Sequence, residues 1–293
     1  MWVFLHDRFV RKEEALVSVF DHGFLYGDGV YETIRSYGSR IFMRDQHLDR
    51  LYRSAEGIGL EIPIRRKDWP ALLREAMVRN DIGHARADAY LRVTISRGEG
   101  DIGLDPALCK RATVVIMAKP LAPPPDDLYQ KGVSLTVART KRNLPEALSP
   151  HIKATNFLNN ILAKREALAA GTFDSLLLNW RDELTECTVS NIFLVLSGRL
   201  STPALECGIL DGITRNVVLQ LAAEAEIDAQ EGRYTLADLS NASECFLTNT
   251  SMEIMPVTRI AGEPVGNGVP GPLTSRLRTL FTRERERFLE SAD

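Results

Sequence analysis

The sequence predicts an α+β (α/β mixed) protein of two domains. Strand-like and helix-like runs alternate along the chain without the strict βαβ order of a doubly wound sheet. The stretch KPLAPPPDDLYQKG concentrates prolines and charges with no periodicity and reads as a break between domains. With 293 residues, 44% apolar and 26% charged, there is enough chain and enough apolar surface for two cores. The expected division is a small N-terminal α/β domain over 1–120, a linker over 121–132 and a larger C-terminal domain over 133–293. A small-molecule site is expected in the crevice between them.

The elements follow from the period of the apolar residues. Alternation at Trp2–Leu5, Arg8–Val10 and Val30–Tyr37 predicts strands, and DQHLDRLYRSAEGIGL carries apolar residues at helical spacing. A helix is expected over Trp69–Arg79, with strands at Ala89–Ser96 and Arg111–Ala118. Past the linker come a strand at Val133–Thr140, a helix at Asn156–Ala170 and strands at Ser175–Asn179 and Asn191–Leu196. A helix over Thr214–Ala225, a strand at Glu244–Thr248 and a helix over Thr274–Leu289 complete the reading. There is no internal repeat.

A net charge of −3 and a pI near 6.0 leave no basic field for nucleic acid or an anionic membrane, so a small-molecule partner is expected. The opening MWVFLHDRFVRKEEA lacks the pattern of a secretion signal, and no apolar stretch approaches spanning length, which predicts a cytoplasmic protein. Cys109, Cys187, Cys207 and Cys245 form no C-x-x-C pair and read as buried reduced thiols. His6, His22, His47, His84 and His151 show no ligand spacing, so no metal is expected.

Lys153, between LSPHI and the helix near Asn156, projects from the mouth of an element, where partial burial can make its amine a Schiff-base nucleophile. A single lysine is most often solvated, so its neighbours carry the reading. Glu186 precedes an apolar strand, where an unpaired carboxylate is costly and a protonated pyridine would supply the partner. Gly212-Ile213-Thr214 opens a helix whose free N–H groups, dipole and Thr214 hydroxyl suit a phosphate, although Thr214 can also be a plain N-cap. The run Thr248-Asn249-Thr250-Ser251 suits a phosphate or a substrate carboxylate. Arg50 can clamp a phosphate bidentately or stand solvated on its helix. Amine, acid and phosphate donors together are what pyridoxal 5'-phosphate (PLP) requires.

The segments HIKATNFLNN, LTECTVSNIF, GILDGITR and FLTNTSMEIMPV occur in the order found in the class IV aminotransferases, and FDHGFLYGDGVYETIRSYG extends the likeness nearly to the start of the chain. The sequence resembles that family, the fold type IV PLP enzymes. The resemblance implies a cofactor imine at Lys153, a ring nitrogen paired with Glu186, and a phosphate held by Arg50, Ile213, Thr214 and Thr250. It implies a larger C-terminal pseudo-barrel domain that binds PLP, and a homodimer. Lys153 would also be the general base for the α-proton.

Three activities share this scaffold. Tyr90, Arg92 and RGEGDIGLDP resemble the branched-chain transaminases, where the arginine suits glutamate's distal carboxylate; the same arginine can be half of a structural ion pair. Thr33, in place of a usual glycine, and LDGITR with TNTSMEIMPV are similar to aminodeoxychorismate lyases, and Phe157 replaces the usual tyrosine of the branched-chain enzymes. Tyr31 is shared with D-amino acid transaminases, whose arginine–histidine trap has no counterpart in RGEGDIGLD. The order of expectation is a branched-chain L-amino acid transaminase using 2-oxoglutarate, then the lyase, then the D-amino acid enzyme. Tyr31, Thr33, Tyr90, Arg92, Ser251 and Met252 are the expected substrate-side residues. The rival G-x-G-x-x-G at Gly98–Gly103 lacks a following apolar helix and reads as a substrate-covering loop rather than a dinucleotide site.

Overall fold

A computed structural model describes residues 1–82 and 88–290. His84 lies outside these. The chain divides into two compact units: Met1–Ala122 with Ile152–Phe157 and the described residues from Arg285 on, and Pro123–His151 with Leu158–Glu284. The short segment that carries Lys153 thus clusters with the N-terminal unit, although it lies beyond the proline-rich stretch in sequence.

In the N-terminal unit the strands are β1 (Trp2–Leu5), β2 (Arg8–Arg11), β3 (Gly29–Tyr37), β4 (Arg40–Phe42), β5 (Ala89–Ser96) and β6 (Thr113–Pro120). The helices are α1 (His22–Tyr26), α2 (Arg44–Gly57) and α3 (Trp69–Arg79). A seven-stranded sheet runs β4-β3-β5-β6-β1-β2, with a short strand at Leu289–Glu290 outside β4. Consecutive strands β5 and β6 pair antiparallel in full register, so no βαβ crossover exists where the glycine-rich rival needs one. Gly98 sits at φ +100, with the Arg111 carbonyl where a side chain would stand, which explains that glycine structurally.

Strand parity divides the sheet. Val30, Ile34, Leu91, Val93, Ile95, Ile116 and Ala118 join one buried cluster with Leu48 and Leu51 of α2 and Trp69 and Leu73 of α3. The opposite face of β3 and β5 carries Tyr31, Thr33, Tyr90, Arg92 and Thr94, with Thr33 paired to Arg92 and Tyr31 to Thr94.

The second unit contains β7 (Val133–Val137), β8 (Asp174–Leu178), β9 (Leu184–Cys187), β10 (Asn191–Leu196), β11 (Arg199–Pro203), β12 (Ala229–Gly232), β13 (Glu244–Asn249) and β14 (Glu253–Ile260). Its helices are α4 (Asp126–Lys131), α5 (Leu158–Ala169), α6 (Ile213–Glu224), α7 (Leu236–Ser240) and α8 (Pro272–Glu284). The strand order is β12-β11-β10-β13-β14-β7-β8-β9, and β9 pairs back to β10 through Glu186 and Asn191. That last pairing closes the sheet from β10 round to β9 into the pseudo-barrel the resemblance implies, filled by Leu135, Leu176, Ile192, Leu194, Leu247 and Met255 among others.

Several elements differ from expectation. The proline-rich stretch holds α4, because prolines 123–125 precede the helix and Asp126 and Asp127 occupy its acid-favouring first turn. The last helix ends at Glu284 and gives way to a 3₁₀ turn and a strand. Glu186 precedes β10 as expected and itself lies within a strand, β9. Cys187, Cys207 and Cys245 are buried, whereas Cys109 is half-exposed and donates to the Gly98 carbonyl. No helix among the described residues is long and apolar enough to cross a membrane.

Candidate active site

Main-chain bonds fix Lys153. Its N–H donates to Ser54 Oγ at 3.1 Å and its carbonyl accepts from the Tyr31 N–H at 3.0 Å. The Thr155 N–H donates to the Gly29 carbonyl at 2.8 Å, and Ala154 bridges Val30. The segment therefore lies as a strand fragment along the first half of β3, beyond the reach of the short β4. Two side chains assist, Ser54 and Thr155, whose hydroxyl donates to the Gly27 carbonyl at 2.8 Å; the register itself comes from the sheet edge.

The lysine's half-buried side chain lies on the Tyr31 face. Nζ is 3.4 Å from the Tyr31 hydroxyl and 4.4 Å from the ring centroid. The Arg92 guanidinium stands 4.0 Å from the same ring, and Phe157 packs edge-on against it at 5.8 Å. Tyr90 reaches the Thr33 hydroxyl at 3.4 Å. Four expected substrate-side residues, Tyr31, Thr33, Tyr90 and Arg92, thus share one sheet face with the expected nucleophile. Burial pushes the Tyr31 phenol up to about 12 against the opposing pull of Arg92, so near neutral pH it is a donor. Among the described residues Arg92 makes no ion pair.

Arg50 is buried, not solvated. Its Nε and Nη2 donate to Glu32 at 2.6 and 2.9 Å, and His47 Nδ1 lies 2.8 Å from Glu32 Oε2. Burial pushes the Glu32 carboxyl up, but the Arg50 guanidinium and then His47 outweigh it and hold the group well below the usual carboxylate range. Burial lowers His47 despite Glu32. A neutral ring with its proton on Nδ1 accounts for the bond to Glu32 and leaves Nε2 as a buried atom without a hydrogen-bond partner among the described residues.

Sequence reasoning missed this cluster, although a signal existed. Glu32 stands at an inward position between Val30 and Ile34, and His47 and Arg50 are three apart on one helix face.

In the second unit Glu186 is buried and already partnered. Arg142 donates Nε to Oε1 at 3.0 Å, with its Nη2 also 3.0 Å from that oxygen. The Leu210 N–H donates to Oε2 at 3.0 Å, and Asn191 Nδ2 approaches the same atom at 3.3 Å. Within the unit Arg142 already compensates this carboxylate, a partner the sequence reading did not include. Arg142 carries no local motif, which is why the sequence did not expose it.

Gly212 is the N-cap of α6, with no side-chain cap; Ile213 and Thr214 are the first helical residues. Thr214 is therefore inside the helix, not its N-cap, and the uncapped end leaves N–H groups for an anion. Thr250 and Ser251 form the turn between β13 and β14, where Asn249 Oδ1 accepts from the N–H groups of Ser251 and Met252 at 2.9 and 2.8 Å. Met252, expected on the substrate side, instead packs in the apolar cluster, and its carbonyl accepts from Tyr129 at 3.0 Å. Its side chain is an interior one. The Thr248 hydroxyl is buried without a partner among the described residues.

One unit holds a lysine against a phenol on a sheet face, and the other holds a buried carboxylate beside an uncapped helix start in a closed barrel. These are the groups an aldehyde-bearing, phosphorylated pyridine requires. The Amino-transferase class IV family matches residues 29–260, and the chain belongs to that family of PLP-dependent enzymes.

A provisionally named branched-chain-amino-acid aminotransferase of Methanocaldococcus jannaschii is 39% identical over 98% of this chain and 98% of its own length. A D-alanine aminotransferase of Listeria innocua is 35% identical over 97% of this chain and 96% of its own. An aminodeoxychorismate lyase of Bacillus subtilis is 34% identical over 96% and 94%. Among solved structures, the Escherichia coli branched-chain amino acid aminotransferase superposes with a TM-score of 0.94 at 28% identity, covering 100% of this chain and 99% of that one. The T.th. branched-chain enzyme complexed with N-(5'-phosphopyridoxyl)-L-glutamate superposes with a TM-score of 0.92 at 30% identity, covering 100% and 98%.

Proposed function

We propose that this protein is a transaminase that moves the amino group of a branched-chain L-amino acid to 2-oxoglutarate. The observation that carries the substrate class is Arg92, stacked on Tyr31 beside Lys153 Nζ with no carboxylate of its own among the described residues. A guanidinium without an ion-pair partner on the face that holds the nucleophile suits the second carboxylate of glutamate or 2-oxoglutarate.

The residues present fit PLP. Lys153 Nζ would hold the aldehyde carbon, and Glu186 would face the ring nitrogen. Ile213, Thr214 and Thr250, with Arg50, would take the phosphate; a buried Thr248 hydroxyl without a partner among the described residues and the uncapped start of α6 are the donors such a group would satisfy. When bound, the cofactor supplies an electron sink for the carbanion left at the α-carbon.

The chain's own groups supply the rest. Lys153 Nζ takes the α-proton and returns it, and its main-chain anchors keep the amine in one place throughout. The Tyr31 hydroxyl, protonated at working pH, accepts from Nζ at 3.4 Å and holds the amine on this face of the sheet. Arg142 and the Leu210 N–H hold the Glu186 carboxyl in one orientation, which would face the ring nitrogen. Phe157 contributes an apolar edge without a hydroxyl.

The test is to mix the PLP-loaded protein separately with L-leucine, L-glutamate and D-alanine and follow conversion of the aldehyde form's absorbance to that of the amine form. Conversion with both L-acids supports the proposal. Conversion with D-alanine alone overturns it in favour of a D-amino acid enzyme, and silence with all three, together with pyruvate release from aminodeoxychorismate, makes the chain a lyase.

A further inference from the structure

Asn191 occupies a singular position in the barrel. It opens β10, pairs with Glu186 across the closing seam and with Thr248 on its other side, and is 5% exposed. In register, these three side chains form a polar row on one face of the sheet. Nδ2 donates to the Leu210 carbonyl at 2.9 Å and approaches Glu186 Oε2 at 3.3 Å, while the Leu210 N–H donates to that same Oε2 at 3.0 Å. Carboxylate, amide side chain and turn backbone thus form one hydrogen-bonded circuit.

The other end of the amide fills the next turn. A methyl built on Gly212 would overlap Asn191 Oδ1, and its other near neighbours, Asn191 Cγ and Arg215 Cβ, lie at 3.1 and 3.2 Å. Gly212 has φ −75 and ψ 127, a conformation open to any residue. The glycine is therefore required by what lies against it, not by its backbone.

We propose that Asn191 is a positioning residue that locks the Glu186 carboxylate and the Leu210–Ile213 turn into a single register. This rests on reading Glu186 and the start of α6 as the groups for ring nitrogen and phosphate. One side chain then sets both ends of the cofactor seat, and neither end can shift without the other.

The experiment is a double-mutant cycle of Gly212→Ala and Asn191→Ala, with Asn191→Ser as a milder variant, read by PLP affinity of the apoprotein and by Tm without cofactor. Gly212→Ala alone should weaken PLP binding by roughly tenfold or more, the range of a kcal/mol-scale overpacking penalty. In the Asn191→Ala or Asn191→Ser background the same change should cost less than about threefold, because the obstructing oxygen is gone. An equal penalty in all backgrounds overturns the lock.

A purely structural Asn191 would leave the bound cofactor's spectrum alone. Asn191→Asp, which sets an acceptor against Glu186 and the Leu210 carbonyl, should move the pH midpoint of the bound PLP absorbance, and an unmoved midpoint refutes the positioning role. Should the wild-type apoprotein take up no PLP, the functional reading falls, while the Tm cycle still decides the lock by the same criterion.

Discussion

Replacing Glu32 with glutamine tests the buried cluster beneath the Tyr31 face. Glu32 is fully buried and takes two bonds from Arg50 and one from His47. Glutamine keeps the shape and one acceptor but removes the negative charge that faces the Arg50 guanidinium in the interior. Removing one partner of a buried pair costs about 3–5 kcal/mol. The retained amide oxygen favours the lower end, and at roughly 2–4 °C per kcal/mol for a chain of this size Tm should fall by about 6–12 °C.

The pH dependence has a definite sign. Glu32's folded value is depressed, so its contribution is complete above the unfolded value, about 4.3, and is lost as pH falls through the folded one. Glu32's own share of the gap between wild type and Glu32→Gln should therefore be constant from pH 8 to about pH 5 and close only in stronger acid. His47, whose folded value is lowered, adds a separate loss of stability as pH drops below its ordinary 6.5, so the comparison is best made at about pH 8. Differential scanning calorimetry of both proteins suffices. A Tm difference below about 2 °C at that pH would refute the claim that Arg50 depends on Glu32.

Lys153→Ala should abolish borohydride trapping of PLP on the chain; a variant that still carries covalently trapped cofactor would place the nucleophile elsewhere. Glu186→Gln should retain PLP but slow α-proton exchange of L-leucine by roughly 10²-fold or more, as expected for a lost charge opposite the ring nitrogen, and unchanged exchange measured by NMR would remove that role. Arg92→Ala should raise KM for L-glutamate by roughly 10–150-fold, equivalent to a charge-assisted bond of about 1.5–3 kcal/mol, with little effect on L-leucine. Equal changes for both substrates in steady-state assays would disconnect Arg92 from the distal carboxylate.

Most residues of the candidate site could be picked out from local pattern, whereas the partners the fold gives them could not. Lys153, Glu186 and the Gly212–Thr214 turn sit in runs whose order is distinctive, and the parity of β3 and β5 already puts Tyr31, Thr33, Tyr90 and Arg92 on one face. Arg142 reaches Glu186 from 44 positions upstream, and no sequence periodicity encodes such a pairing. The attachment of Ile152–Phe157 to β3 was equally hidden, because it depends on a main-chain edge that β4 leaves open. Met252 shows the opposite failure: it lies beside Thr250 and Ser251 in sequence, yet the turn drives its side chain into the apolar core.

The contrast between backbone-held and side-chain-held parts explains how relatives with three different activity names can share so much of this chain. Lys153 is positioned chiefly by amides and carbonyls of β3, which any residue at those positions supplies. The face above it is composed of alternate side chains on β3 and β5, which point away from the opposite, buried face. On the proposed function, a change at Thr33, Tyr90 or Arg92 therefore alters the charge and shape that would meet a substrate while leaving Lys153 in place. On this reading, activity within the family should track those few positions far better than overall identity. Exchanging them as a set, rather than singly, is the way to move the chain from one substrate class to another, since the Thr33–Tyr90 contact and the Arg92–Tyr31 stack couple their effects.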